Sequence, residues 1–134
     1  MRPATSSAAF VNHVLDVAEQ HGCDGDWLLQ QTGLSREQLS DSIVRIPMRQ
    51  LRTLLELAAR SSNLPHFGLL VGAAVRPGTY GVLGYVLMTS ATLGESLNMI
   101  LRFGKIVYDS PSSQTRIVIG DGRVTLEDQR INEL

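Results

Sequence analysis

The chain has 134 residues, of which 43% are hydrophobic and 19% are charged, and its formal net charge is −1. This length and apolar content suit one domain with a buried core. The near-neutral charge gives no electrostatic basis for binding nucleic acid or an anionic membrane. The sequence holds no apolar run long enough to span a bilayer, no signal-peptide core at its N-terminus, and a single cysteine, Cys23. We therefore expect a cytoplasmic protein without a membrane partner.

The N-terminal segment predicts a short tail followed by an amphipathic helix. Residues 1–6 carry no hydrophobic pattern, and we expect them to form a disordered tail before a single domain over residues 7–134. A helix is predicted over residues 7–21, because its apolar residues recur at helical spacing. Gly22 follows the last turn, where a glycine commonly ends a helix.

Further helices are indicated by N-cap residues, apolar stripes and terminating glycines. They are predicted over residues 27–32, 35–39 and 47–60, and from Asn63 onward. Ser35 and Gln38 have the spacing of a capping box, and the stripe that begins at Met48 is the clearest in the chain. Residues 76–79, Arg-Pro-Gly-Thr, predict a loop.

The most specific stretch is residues 80–108, which we call the central joint. A first apolar segment ends at Ser90, and a second begins at Thr92. The sequence Thr92-Leu-Gly-Glu95 fits a capping box, in which Thr92 accepts from the Glu95 N–H and the Glu95 side chain reaches back to the Thr92 N–H. The central joint therefore predicts two helices with a sharp connection between them.

A β-hairpin is predicted after the central joint, where the hydrophobic period changes to two. The strands cover residues 115–119 and 123–127, and Asp121-Gly122 is a strong type I′ turn signal. This turn sets a register that brings four aliphatic residues to one face: Ile117, Ile119, Val124 and Leu126. A lone hairpin is marginally stable, so we expect that face to pack on the helices or on further strands.

Together these elements predict an α+β fold that is predominantly helical, with about six helices followed by a C-terminal antiparallel β-hairpin.

The central joint resembles a segment of the N-terminal effector-binding domain of AraC-type transcription regulators, in the branch called arabinose-binding-like. That branch carries a phrase close to G-x-L-G-Y-x-L-x-[ST]-S-x-T-L-G-E-[AS]-L. The positions of this chain that match it are Gly81, Leu83, Gly84, Tyr85, Leu87, Ser90, Thr92, Leu93, Gly94, Glu95 and Leu97. The order of the earlier helices also agrees with the family, although their patterns are generic.

The resemblance implies an effector-sensing and oligomerising domain that controls an attached DNA-binding domain. The expected partners are an unidentified small-molecule effector, a second copy of the chain in a homodimer, and DNA only through a helix-turn-helix domain that this chain lacks. Because the family's domain continues past the first hairpin, we also expect that residues 7–134 are a shortened form of it. The alternative is a ligand-free module that binds a protein partner through an apolar helix or hairpin face.

The candidate ligand-binding residues are Tyr80, Tyr85 and Arg102. They flank or lie within an apolar helical segment of the central joint, which also contains Lys105 and ends at Tyr108. Small-molecule sites combine an apolar wall with a few polar groups, and an arginine fork binds carboxylates. The alternative is a central helix with Arg102 reaching the surface and the tyrosines half-buried at the edge of the core. A closed cavity beside residues 93–108 would favour sensing, and a solid core with an exposed apolar patch would favour interaction.

The sequence gives no basis for an enzyme, a metal site or a cofactor. His13, His21 and His66 lack a convergent set of three or four ligands in the sequence, and His13 with Asp16 reads as a solvated helix face. Cys23 lies next to acidic residues, which disfavour a reactive thiolate. The sequence contains no nucleophile elbow or catalytic triad pattern.

Overall fold

The computed structural model of the protein describes residues 2–130, so residues 131–134 of the predicted domain lie outside the described part. The helices are α1 (Ala8–Gln20), α2 (Gly25–Thr32), α3 (Arg36–Ser40), α4 (Met48–Ser61), α5 (Phe67–Ala73), α6 (Val82–Thr89) and α7 (Leu93–Phe103). Two short 3-10 helices are Pro77–Tyr80 and Gly104–Ile106. The strands are β1 (Thr5–Ser7), β2 (Arg45–Pro47), β3 (Tyr108–Asp109), β4 (Ser113–Gly120) and β5 (Arg123–Arg130).

The caps predicted for α2 and α3 are present. The Asp24 side chain accepts from the Trp27 N–H at 3.1 Å at the start of α2, and Gly33 ends that helix in the left-handed conformation. Ser35 and Gln38 satisfy each other's backbone N–H groups at the start of α3, as a capping box does. Local side chains therefore define where these helices begin and end.

Helices α1, α2, α4 and α5 form the hydrophobic core. Their apolar stripes converge on fully buried side chains, which include Leu15, Leu28, Leu54 and Phe67. Burying a side chain of this size contributes about 1.5–3 kcal/mol relative to leaving it exposed. The N-terminal half is thus the well-packed part of the molecule.

The prediction of a disordered tail over residues 1–6 is wrong for its last two residues. Thr5–Ser7 form β1, which pairs antiparallel with both β2 and β3 in the order β2-β1-β3. The Ser6 side chain is fully buried and donates to the carbonyl of Val107 at 3.2 Å. Small polar residues give no strand signal in the sequence, because this strand is specified by its distant partners.

Three predicted boundaries also change. Pro47 ends β2 instead of opening the helix that follows, and α4 begins at Met48. The helix expected from Asn63 begins at Phe67, because Asn63 takes a positive φ of 54° that no helix contains. Residues 77–80 form a 3-10 helix where a loop was predicted.

The central joint contains the predicted pair of helices, α6 and α7. The Thr92 side chain accepts from the Glu95 N–H at 3.1 Å, as predicted, but Glu95 accepts from the Ala91 N–H at 2.9 Å and not from that of Thr92. Helix α7 lies wholly within the residues that the structure describes, and none of its side chains is fully buried. Helix α7 is therefore capped by a side chain at its start, although its own side chains are only partly covered.

The hairpin has the predicted turn and register. Asp121 and Gly122 have φ values of 52° and 69°, and Ile119 pairs with Val124 across the strands. The expectation that its aliphatic face packs on the helices or on further strands is wrong near the turn, because Ile119 is 79% exposed and Val124 is 64% exposed. The turn end of the apolar face is therefore open to solvent, whereas Ile117 further along β4 is half-buried.

The structure thus confirms the α+β fold class, with helices first and an antiparallel hairpin last. Within residues 2–130, none of the helices combines the length and apolar character needed to cross a bilayer.

Candidate functional site

The predicted ligand-binding residues lie at three separate places around the central joint. The ring of Tyr80 stacks on Phe10 of α1, with centroids 6.2 Å apart and planes at 13°. Tyr85 is 63% exposed on α6. Arg102 is exposed near the end of α7, where its guanidinium lies 5.1 Å from the ring centroid of Phe103. These contacts therefore do not place the three side chains on one pocket wall.

A first cleft of about 520 Å³ opens between α7 and the hairpin, and we call it the hairpin cleft. Ile100 and Leu101 contribute its apolar part, and Lys105 and Gln114 contribute polar groups. Arg116 also lines it, but its guanidinium is paired with Glu127 at 2.6 Å. The cleft lies beside the helix where the sequence predicts a pocket, although it is open to solvent and not closed.

Arg45 links the segment after α7 to strand β1 by hydrogen bonds. The Arg45 guanidinium donates to the side chain and the carbonyl of Thr5, both at 3.2 Å. It also donates to the carbonyls of Lys105 and Ile106, directly after α7. Because one planar group binds both segments, the residues that follow α7 are held to β1.

A second cleft of about 430 Å³ lies between α1 and residues 73–79, and we call it the α1 cleft. Its α1 side consists of residues at i, i+3, i+4 and i+7, namely His13, Asp16, Val17 and Gln20. Arg76 and Thr79 line the opposite side. Most of these side chains are polar, so the cleft suits a charged or hydrogen-bonding ligand better than an apolar one.

The orientation of His13 in the α1 cleft is fixed by one hydrogen bond. Its Nε2 lies 2.9 Å from the carbonyl of Val71. A carbonyl only accepts, so Nε2 carries the proton and the second ring nitrogen is left for other partners. The imidazole thereby joins α1 to α5 at the edge of the cleft.

Asp16 is electrostatically strained in this position. Partial burial and the nearby Glu19 carboxylate raise the pKa of Asp16 above its ordinary value, while His13 and Arg36 act in the opposite direction. The carboxylate accepts from the side-chain amide of Asn12 at 3.3 Å. A cation placed in the cleft would relieve this strain.

The linings of the two clefts include none of Tyr80, Tyr85 and Arg102 among the described residues. Tyr80 directly follows Thr79, which lines the α1 cleft, but Tyr80 itself is not part of that lining. The sequence predicts only a solvated helix face for His13 and Asp16, and a loop for Arg76. The available signal was the i, i+3 spacing of polar residues beside an apolar stripe, which does not by itself indicate what faces it.

The central joint exposes a large apolar surface. Leu93 is 75% exposed, and further exposed apolar side chains of α6 and α7 are Val82, Val86, Met88 and Phe103. Within residues 2–130, no group of three His, Cys, Asp or Glu side chains converges to hold a metal ion. The exposed apolar patch on α6 and α7 is the feature expected of an interaction surface.

Two comparisons relate the chain to known proteins. The profile of the arabinose-binding domain found at the N-terminus of AraC transcription regulators matches residues 22–133. The chain is also 24% identical over 118 residues to an ornithine utilization regulator of Pseudomonas aeruginosa, which covers 88% of the chain. That alignment covers 34% of the regulator, so the chain spans about a third of its relative's length.

Proposed function

Since this chain belongs to the family of arabinose-binding N-terminal domains of AraC transcription regulators, we propose that it is the effector-sensing and oligomerising domain of such a regulator. The observation that carries the proposal is the family match over residues 22–133, which includes the central joint and both of its helices. In this function residues 7–134 act as one domain, and DNA is bound by another domain of the regulator.

The proposed mechanism is a shift in population between two arrangements of the domain. A ligand that binds one arrangement more tightly raises its population, and the attached DNA-binding domain responds to that change. The 3-10 helix Pro77–Tyr80 is suited to transmit it, because Thr79 lines the α1 cleft while the carbonyl of Pro77 lies against Gly84 of α6. A ligand that contacts Thr79 would move this short helix and, through Pro77, would displace α6 of the central joint.

The effector is proposed to be a small metabolite. The relative is a regulator of ornithine utilization, which makes amino acids the first class to test for this chain. Both clefts have volumes in the range of small-molecule sites. Tyr80, Tyr85 and Arg102 remain candidate contacts, because each lies on or beside the helices that a bound effector would displace.

A thermal-shift screen of small carboxylates, amino acids including L-ornithine, and sugars tests this function. A ligand that binds only the folded state raises the melting temperature. At a ligand concentration of 100 times the dissociation constant, it adds about 2.7 kcal/mol to the free energy of unfolding. Each hit would be repeated on Arg102→Ala, Tyr85→Ala and Tyr80→Phe, with Arg52→Ala on the exposed face of α4 as the control. A screen without a stabilising compound would contradict effector sensing by this chain.

A separate observation supports the oligomerising part of this proposal. The exposed apolar side chains of α6 and α7 form a surface that a second copy of the chain could cover. We expect Met88→Glu to lower the apparent mass in sedimentation equilibrium relative to the parent. Leu69→Glu is the matched control, because Leu69 is also an exposed apolar residue but lies on α5. A parent that sediments as a monomer at all concentrations tested would contradict self-association.

A further inference from the structure

The α1 cleft brings two opposite charges to one small cavity. Asp16 lines it from α1, and Arg76 lines it from the segment after α5. Both residues are exposed to solvent. Among the ion pairs of residues 2–130, none joins these two side chains or occupies the Arg76 guanidinium. The cleft therefore presents an uncompensated cation and a carboxylate on opposite walls.

The remaining polar groups of the cleft are compatible with this polarity. The side-chain oxygen of Thr79 accepts from the backbone N–H of Arg76 at 3.1 Å, so its hydroxyl proton is available to a ligand. Gln20 adds an amide at the end of the α1 row. The apolar residues Val17 and Ala74 also line the cleft.

We propose that the α1 cleft binds a free α-amino acid as its zwitterion, with the carboxylate on Arg76 and the ammonium group on Asp16. An arginine fork binds a carboxylate bidentately, and a carboxylate accepts strong, charge-assisted hydrogen bonds from an ammonium group. A ligand that carried one charge alone would leave one wall of the cleft without a partner. This inference rests on the proposed function, since the amino acid would be the effector that the domain senses.

The strain on Asp16 supports the direction of binding. Partial burial and Glu19 disfavour its ionised form, and an ammonium group in the cleft would favour it again.

The test is NMR titration of this chain with the twenty common L-amino acids and L-ornithine, one at a time. At least one should shift the resonances of Asp16, Arg76 and Thr79. The corresponding amine and carboxylic acid, each lacking the other group, should bind about tenfold more weakly or worse, as should the amino acid to Asp16→Asn and Arg76→Gln. Lys105→Gln tests the hairpin cleft as the competing site, and Arg52→Gln on the exposed face of α4 is the control that should bind as the parent does.

The outcomes separate this inference from the proposed function. No shift with any of the amino acids overturns the zwitterion site, while a carboxylate or sugar that raises the melting temperature in the broader screen would still support sensing. An amino acid whose binding is lost in Lys105→Gln and kept in the two α1-cleft variants would overturn the site and leave the function standing. Unchanged spectra of the variants away from the cleft ensure that a loss of binding is not a loss of folding.

Discussion

Gly84 of α6 lies against the backbone carbonyl of Pro77, so closely that a Cβ at position 84 would come within 1.7 Å of that oxygen. Real Cβ atoms do not approach an oxygen to this distance, so a side chain here would force α6 away from the 3-10 helix. Gly81, at the junction, has φ 56° and ψ −134°, a region open essentially to glycine alone. Two glycines of the family phrase are thus required for different reasons: Gly84 for the close approach to Pro77, and Gly81 for its backbone conformation.

Gly84→Ala should destabilise the protein by about 1–3 kcal/mol, because the added methyl group meets rigid backbone and not a flexible side chain. The midpoint of denaturant unfolding measures this change. Gly72→Ala in α5 is the matched control, since nothing lies within 4 Å of a Cβ built there. It should be neutral or stabilise by up to about 1 kcal/mol. Equal midpoints for the two variants would contradict the close approach to Pro77.

The parts of the fold that could be predicted are those that neighbouring residues specify. The hairpin register follows from Asp121-Gly122, and the ends of α2 and α3 follow from their caps. β1 could not be predicted, because Thr5–Ser7 form a strand only through partners about 40 and 100 residues away in the chain. The exposed face of the hairpin could not be predicted either, because an aliphatic pattern indicates which side is apolar but not what covers it.

The candidate site was less predictable than the fold. The hydrophobic pattern indicates the apolar residues near Arg102, whereas the polar cleft depends on Arg76 and Asp16, which lie 60 positions apart in the sequence. Opposite charges at that separation carry no local signal, since only the packing of α1 against the segment after α5 brings them to one cavity. The hairpin cleft beside α7 agrees with the predicted region, but through Lys105 and Gln114.

Thr92→Ala should destabilise the protein by about 1 kcal/mol, because Thr92 supplies the acceptor for an N–H at the start of α7. Faster hydrogen exchange of the Glu95 amide would locate the effect at this cap. Thr53→Ala is the control, since the Thr53 hydroxyl donates to the Arg49 carbonyl within α4 and caps nothing. An unchanged unfolding midpoint for Thr92→Ala would show that this cap does not stabilise α7.

Gly122→Val should destabilise the hairpin by about 1–2 kcal/mol, because a β-branched residue resists the left-handed conformation. Gly122 has a φ of 69° in the turn. The hairpin packs little on the core, so the measurement is hydrogen exchange of β4 and β5 amides with those of α1 as reference. Gly120→Val is the control, because Gly120 has neither a positive φ nor an atom within 4 Å of a built Cβ. Equal exchange rates in the two variants would contradict the turn.

Asp16 should make the protein less stable at neutral pH than at a pH below the pKa that this residue has in the unfolded chain. Its pKa in the folded state is raised above the ordinary value of 3.8, so the folded state binds this proton more tightly than the unfolded state does. The free energy of unfolding contributed by Asp16 then falls as the pH rises from 3.8 through the raised pKa. Asp16→Asn should therefore raise the melting temperature at neutral pH and leave it unchanged in acid. Because the side chain is largely solvated, the gain should be below about 1 kcal/mol.

Glu56→Gln, an exposed charge removal on α4, is the control for a general effect of net charge. If both variants gain equally at neutral pH, the effect is one of net charge and not of the cleft. If Asp16→Asn alone gains stability, and also loses the stabilisation that an amino acid gives the parent, the two results have one cause. The carboxylate would then be kept at a cost to the free protein because it binds the ammonium group of the effector, a trade between stability and function that binding sites commonly make.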